Sequence, residues 1–560
     1  MRKRKQLLSY LLISVLVLAL LAGCTTTGTD APDGGKNAEK AGEGQKTGEK
    51  AEEKGAGKEK VLLLNNGQEP KSFDPPVAFD AVSYNALNNI MEGLVRLDKD
   101  NEPKEAMAEK IDVSDDGKVY TFTLRDNAKW SNGDPVTAHD FEYAWKRLAD
   151  PKTASEAAFL SYYIEGAEAF NSGKGKADDM KVTAKDDKTL EVTLAAPQGY
   201  FLHVITNPPF FPINQKVAEE NAKWHREAKT FVGNGPFKLT EWKHDSELVM
   251  EKNENYWDAD TVKLDRVVWK MIDEVATEYE LYNTGELHTS ELPPDMSEQL
   301  YAEGKVNVEP EAGTEFYRFN TTMKPFDNKN IRKAFSLAID RQNLTDYVLK
   351  TGEKPAAAFV SYGFQDAAGG DFREVGGDYV KFDPDEAKKL LEKGMKEEGY
   401  DKLPEITLTY NTHDKHKKNA EALQQMFKET LGVDVKLVNV EWQVLSDDQS
   451  ALKLQFSRSS FLADFADPIN YLESFVTGST MNRTGWSNKT FDELIKKAKQ
   501  EADEKKRFEL MHEAEQILFD DAVITPLYFY SRVYLQNEKV KDIVRHPVGY
   551  MELKWADIEQ

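Results

Sequence analysis

The sequence predicts an α/β fold spread over more than one domain, and three observations carry that reading. At 560 residues the chain is too long for a single hydrophobic core, and two or three domains are expected. Short runs alternate apolar and polar residues with period two, and between them lie runs with apolar residues at helical spacing. Within residues 406–437 a strand, a helix and a strand follow one another closely, which is the pattern of a parallel pair with a crossover helix.

The elements follow in order. Val61 to Leu64 reads as a short buried strand ended by Asn65-Asn66-Gly67. Ser83 to Leu94 reads as a helix with Ala86, Leu87, Ile90, Met91 and Leu94 on one face. Tyr120, Phe122 and Leu124 alternate with threonines as a half-buried strand, and Leu190, Val192 and Leu194 repeat that pattern. Between them Thr137 to Leu148 is a helix, capped by Thr137 or by Ser131 nearby. Ile331 to Arg341 is helical. Ile406, Leu408 and Tyr410 form a strand, Lys415 to Leu431 a helix with Gly432 as its C-cap, and Val433, Val435 and Leu437 the next strand. Ala451 to Phe461 supplies a strand leading to Asp464. Phe491 to Phe519 reads as one or two amphipathic helices, and Val523 to Leu535 is β-rich with three tyrosines.

Composition narrows the function classes. A formal net charge of -24 argues against a nucleic-acid partner. The N-terminus reads as an export signal: Met1-Arg-Lys-Arg-Lys5 is basic, Leu7 to Ala22 is apolar but short for a membrane span, and Leu21-Ala22-Gly23-Cys24 follows. That last run resembles the lipobox of bacterial lipoproteins, which implies cleavage before Cys24 and lipid on its sulfur. Cys24 is the only cysteine, so the folded part can hold no disulfide, zinc–thiolate site or cysteine nucleophile. Residues 25–60 lack Val, Ile, Leu, Phe, Met, Trp and Tyr, and are expected to form a disordered tether reaching about 30–36 Å.

The motifs of common enzymes are missing. No G-x-G-x-x-G, P-loop or G-x-S-x-G elbow occurs. His413-Asp414-Lys415-His416 has a metal-like spacing, but Lys415, Lys417 and Lys418 oppose a cation there, so no metal or cofactor is expected. One run is chemically unusual. Phe461-Leu462-Ala463 ends a buried strand, and Asp464 emerges where Pro468 forbids the ladder to continue. A carboxylate at the mouth of a buried strand is costly unless a positive group meets it. Trp442, Phe461 and Tyr530 sit beside polar turns and are candidates for the walls of a ligand cleft.

Several long motifs then match one family in order. They are Ala128-Lys-Trp-Ser-Asn-Gly-Asp-Pro-Val-Thr-Ala-His-Asp-Phe141, Tyr143-Ala-Trp-Lys-Arg-Leu148, Gly233-Asn-Gly-Pro-Phe237, Asn255-Tyr-Trp-Asp258, Asn330-Ile-Arg-Lys-Ala-Phe335 and Ala463-Asp-Phe-Ala-Asp-Pro468. Over residues 61–560 the chain resembles the bacterial oligopeptide-binding lipoproteins, receptors of peptide-importing ABC transporters. The resemblance implies a periplasmic-binding-protein-like two-lobe clamp of three domains with mixed sheets. Domain I would be residues 59–91, 214–316 and 532–560, domain II the insertion 92–213, and domain III residues 317–531, after a signal peptide over 1–23 and the lipidated tether over 24–58.

The resemblance also implies roles. Asp464 matches the carboxylate that pairs with a peptide's α-amino group. Ser459, Ser460, Phe461 and Leu462 match the strand that bonds to the peptide backbone. Arg458 and His416 match positions that meet the peptide's C-terminal carboxylate, and Trp442 and Tyr530 match walls of side-chain pockets. Asp80 is a candidate contact from the first lobe. Where several relatives have Gly-Trp, this chain has Ser460-Phe461, which alters one pocket. The expected partners are short peptides, the permease subunits of an importer and the membrane that holds the lipid, with the protein itself a monomer. The alternatives are a receptor of the same fold for nickel, haem or an oligosaccharide, a tethered peptidase using Asp464 and Asp467, and an adhesin. A peptidase lacks a nucleophile–base set and an adhesin lacks repeats.

Overall fold

The computed structural model describes residues 59–78 and 80–559. The export signal, Cys24 and the tether as far as residue 58 lie outside the described residues. Among the described residues no helix is long and apolar enough to cross a membrane.

Three larger sheets organise the described chain. Strand β1 (Val61–Asn65) leads into helix α1 (Ala81–Ile90). Strands β2 (Ala108–Val113) and β3 (Val119–Leu124) precede helix α2 (Ala138–Ala149), and β4 (Val182–Ala184) and β5 (Thr189–Thr193) follow it. These strands form an antiparallel sheet in the order β2-β3-β5-β4. Strands β6 (Phe237–Lys243), β7 (Glu247–Lys252) and β8 (Arg266–Lys270) join β1 in the order β1-β8-β7-β6, with β1 parallel to β8.

The largest sheet is drawn from the second half. Strands β9 (Thr289–Glu291) and β10 (Asn307–Phe319) are followed by helix α3 (Lys329–Leu337). Strand β11 (Ile406–Asn411), helix α4 (Asp414–Leu431) and strand β12 (Val435–Val440) form the expected crossover, and β11 pairs with β12 in parallel. Helix α5 (Trp442–Ser450) precedes strand β13 (Phe456–Leu462), and helices α6 (Lys489–Gln500) and α7 (Glu504–Asp520) lead into strand β14 (Ile524–Gln536). The strand order is β9-β14-β10-β13-β11-β12. The long strands β10 and β14 run across the expected boundaries at 316/317 and 531/532. Their pairing is interrupted between Pro310 and Thr314.

Three expected elements shift. The helix expected over 83–94 ends at Ile90, and Met91 turns to extended backbone, although Met91 and Leu94 stay buried. Asp80 caps this helix by accepting from the Ser83 nitrogen at 2.7 Å. The helix expected over 331–341 spans 329–337. The strand expected over 451–461 begins only at Phe456, because residues 442–450 are helical and the chain must first turn back.

The motif runs explain themselves as framework. Thr137 caps α2, with its nitrogen donating to Asp140 Oδ2 at 2.9 Å. Trp145 is fully buried and donates from Nε1 to the Phe210 carbonyl at 2.7 Å. Tyr256 Oη and Trp257 Nε1 both donate at 2.5 Å to the buried Glu92, which also takes Arg96 Nε at 2.7 Å. The buried Arg332 of α3 donates to the carbonyls of Phe326, Asp521 and Ala522.

Gly233 and Gly235 explain where α1 stops. Asn234 between them makes paired bonds with the Glu92 backbone at 3.0 and 2.8 Å, and Gly235 donates to the Ile90 carbonyl at 3.1 Å. A Cβ on Gly233 would stand 2.0 Å from the Ile90 oxygen, and one on Gly235 2.5 Å from the Met91 nitrogen. Backbone on both sides leaves no room to relax. Gly233→Ala or Gly235→Ala is therefore expected to lower unfolding free energy by about 3 kcal/mol in chemical denaturation.

Candidate functional site

The site is organised by an incomplete edge of β13. On one side β13 pairs antiparallel with β10 over residues 456–462 without a register shift. Ala463 N–H donates to the Ala312 carbonyl, and Asn320 N–H to that of Gln455. These bonds fix the parity: Ser457, Ser459 and Phe461 turn their backbone groups to β10. Ser460 and Leu462 therefore turn theirs the other way. On that side β11 reaches only Phe456 and Ser457. The Arg458 carbonyl is taken by Gln449 Nε2 at 2.8 Å. The backbone of Ser460 and Leu462 is left as an open strand edge. Of the four residues expected to bond a peptide backbone, the register singles out these two.

Asp464 stands just beyond the end of that edge. Its nitrogen donates to Asn470 Oδ1 at 2.8 Å, and its carbonyl accepts from Tyr550 Oη at 3.3 Å. Tyr550 packs edge-on against Tyr84, and Tyr200 stacks on Phe465 at 5.6 Å. Asp464 thus lies where the first part of the chain meets the second. Burial pushes its carboxyl up to about 6, against the help of an Asn470 hydrogen bond, and the nearby Glu473 charge adds to the rise. Among the described residues Asp464 is in no ion pair.

Asp467, three residues on, is unlike it. Its Oδ1 accepts from Arg507 at 2.5 Å and from the Ile469 nitrogen at 2.9 Å, all in the interior. The two acids hold different posts, and Asp467 is spent on the framework. They do not form an acid/base pair.

Leu462, at the end of the even-numbered face of β13, helps line an aromatic and charged cavity of about 290 Å³. Its lining includes Glu315, Glu353, His416, Leu462, Tyr528 and Tyr530. Arg458 is held by Glu315 of this lining through two bonds, 2.8 and 2.5 Å long. Tyr530 Oη donates to the same carboxylate at 2.6 Å. Burial opposes the Arg458 charge, but Glu315 outweighs it and the pKa is raised. Tyr530 is raised by burial and by the Glu315 charge.

His416 Nδ1 lies 3.3 Å from the Asn411 carbonyl, and burial with the Arg458 charge lowers its pKa to about 4, so it is neutral at pH 7. Lys415 pairs with Glu353, and His413 caps α4 by accepting from the Lys415 nitrogen at 3.2 Å. Among the described residues no group of three or more His, Cys, Asp or Glu is arranged to hold a metal ion.

The structure therefore brings Arg458, His416, Leu462 and Tyr530 together, with Asp464 past the strand end. It does not bring Trp442 to this cavity. Trp442 is the first residue of α5 and is 53% exposed. Phe461 points to the opposite face, against Tyr471 at 4.5 Å and Phe359 at 5.6 Å. Sequence reasoning missed Glu315, Glu353 and Tyr550. A charged residue inside the aromatic run Thr314 to Phe319 was the available signal for Glu315.

Comparison with known proteins bears on the fold and the family. The family model for bacterial extracellular solute-binding proteins, family 5 (middle part), matches residues 102–483. The chain is 63% identical over 499 residues to the dipeptide-binding protein DppE of Bacillus subtilis, covering 89% of this chain and 92% of that one. It matches the unliganded open form of the periplasmic murein tripeptide-binding protein MppA with a TM-score of 0.80 at 32% identity, covering 90% and 98%. Against Listeria monocytogenes OppA bound to peptide the TM-score is 0.69 at 36% identity, covering 90% and 99%. The less identical chain is the better match in shape, so the described arrangement resembles the open one.

The raised pKa has a consequence for stability. The carboxyl binds its proton more tightly folded than unfolded, where its value is near 3.8. Ionised Asp464 therefore destabilises the ligand-free fold above about pH 6, and the effect vanishes below about pH 4. Asp464→Asn is expected to stabilise the ligand-free protein at pH 8 by on the order of 1–3 kcal/mol and by nothing at pH 3.5, as read by calorimetry.

Proposed function

The chain belongs to family 5 of the bacterial extracellular solute-binding proteins, and from that premise we propose that it holds short peptides, extended, between two lobes and delivers them to an ABC importer. The observation that carries this is the unpaired carboxylate of Asp464 at the end of an open strand edge. A peptide laid on that edge gains main-chain bonds from Ser460 and Leu462 whatever its sequence. Its α-ammonium then reaches Asp464 and supplies the missing counter-charge. The names of the relatives, a dipeptide-binding protein and a peptide-bound OppA, support the same ligand class.

The remaining parts of the reading follow. Domain I comprises residues 59–91, 214–316 and 532–560, domain II residues 92–213 and domain III residues 317–531. The lobes swing about β10 and β14, where the interrupted pairing between Pro310 and Thr314 gives the two strands a place to bend. Closure covers Leu462, 56% exposed as described, and brings the first lobe over the peptide. His416 and Arg458 lie toward the peptide's C-terminal end. Because Arg458 is already paired with Glu315, the contact it offers is a shared one. Lipid on Cys24 holds the monomeric body at the outer face of the membrane through the tether.

Removing the carboxylate would leave a desolvated ammonium unpaired. Asp464→Ala is expected to weaken a free tripeptide by about 2–5 kcal/mol in titration calorimetry, and its N-acetylated form far less. An equally small loss for both would show that the α-amino group binds elsewhere.

A further inference from the structure

On the face of β13 opposite Glu315 and Tyr530, two arginines meet without an acid. Arg318 leaves β10 beside Ser459. Its Nε donates to Ser459 Oγ at 2.9 Å and its Nη1 to the Met481 carbonyl at 3.0 Å. Its guanidinium lies 5.0 Å from the Phe316 ring centre and 5.5 Å from that of Phe475. The residue is only 4% exposed. Arg483 donates from Nη1 to Ser446 Oγ at 3.1 Å, and its Nε is buried with no partner. Among the described residues neither arginine is in an ion pair.

Other buried arginines are matched. Arg458, Arg507, Arg373 and Arg96 each hold a carboxylate. Arg341 and Arg332 have none, but the donors of Arg341 are spread over Pro526, Ser336, Ile339 and Thr525, and those of Arg332 over the carbonyls of Phe326, Asp327, Asp521 and Ala522. Arg318 and Arg483 have fewer bonds and repel one another. Burial, with the Arg483 charge adding to it, brings Arg318 down to about 9.

The pair lies beside the open edge. Gln449 of α5 bonds Ser457 Oγ and the Arg458 carbonyl. One turn earlier Ser446 holds Arg483, and one turn earlier again is the exposed Trp442. Met481, whose carbonyl accepts from Arg318, is 40% exposed. The segments that hold the two arginines thus carry exposed apolar residues, Trp442 and Met481, and Arg318 reaches Ser459, the neighbour of Ser460. An extended peptide on that edge sends alternate side chains to the two faces. One set meets Tyr530 and the acids of the cavity. The other set meets the arginines.

We propose that Arg318 and Arg483 form a carboxylate-binding subsite, so that the cleft selects peptides presenting an acidic group on the Ser459 face. This rests on the peptide-receptor reading above. A carboxylate there would accept charge-assisted bonds from both guanidinium groups and relieve their repulsion. It would come from a ligand side chain or from the C-terminus.

The test is titration calorimetry on the whole body with alanine tetrapeptides carrying one Glu or one Gln at each position, with free and with amidated C-termini. The expected result is a Glu-over-Gln preference of about tenfold or more at one position. That ratio should collapse toward one in Arg483→Gln and survive in part in Arg483→Lys, which keeps the charge. If amidation alone costs affinity in the wild type and not in Arg483→Gln, the terminal carboxylate is the occupant and the subsite stands. If no position prefers Glu, and amidation costs both proteins equally, the subsite is overturned while the receptor reading survives. If no peptide of the series binds, the receptor reading falls and the subsite falls with it.

Discussion

An ionised carboxylate in a half-buried site with no counter-charge is the constraint from which the rest of the structure can be understood. Several other buried acids are compensated: Glu315 by Arg458 and Tyr530, Asp467 by Arg507, Glu515 by Arg373, and Glu92 by Arg96, Tyr256 and Trp257. Asp464 has an amide and a ring of tyrosines instead. Leaving it so costs the ligand-free protein stability, and the cost is recovered when a cation arrives. Tyr550, Tyr84 and Tyr200 come from parts of the chain remote from β13, so the two halves must assemble before the site exists.

The strand edge gives this charge its context. A β-edge with unpaired N–H and C=O groups is normally an aggregation hazard, and proteins cover or charge it. Here β11 covers the edge as far as Ser457 and Gln449 closes the Arg458 carbonyl, so the opening is confined to the last residues of β13. Such a gap is too short to template a sheet but long enough for a short extended chain. Its two flanks differ in how charge is met: on the Tyr530 side Glu315 and Glu353 each have a basic partner, whereas on the Ser459 side Arg318 and Arg483 are in no ion pair among the described residues. On the proposed reading, the sequence-independent part of recognition comes from the backbone and the ammonium, and selectivity is left to the flanks.

Much of the framework was legible locally. The crossover through α4, the cap at Thr137, the paired helices α6 and α7 and the position of Asp464 past a strand all follow from periodicity, capping residues and Pro468. What failed depended on distant partners. The helix expected to run to Leu94 stops at Ile90 because Gly233 and Gly235 occupy the space beyond it. The strand expected from Ala451 starts late because α5 precedes it. Strand parity turns Phe461 away from the cavity that Tyr530 lines, and Trp442, the first residue of α5, is not part of that cavity's lining. Glu315 could be flagged as odd within its strand, yet only the β10–β13 register shows that it takes Arg458.

The most direct measurement is the proton count on binding at pH 6, from titration calorimetry of a tripeptide in buffers of different ionisation enthalpy. The peptide's own ammonium is fully protonated there and His416 is neutral. If the ammonium pairs with Asp464, binding drives the carboxyl to ionise, and about half a proton is released per peptide, a release that Asp464→Asn abolishes. No Asp464-dependent proton release at any pH from about 5 to 7 would mean that the α-amino group does not sit on Asp464, and the account of this site would be wrong.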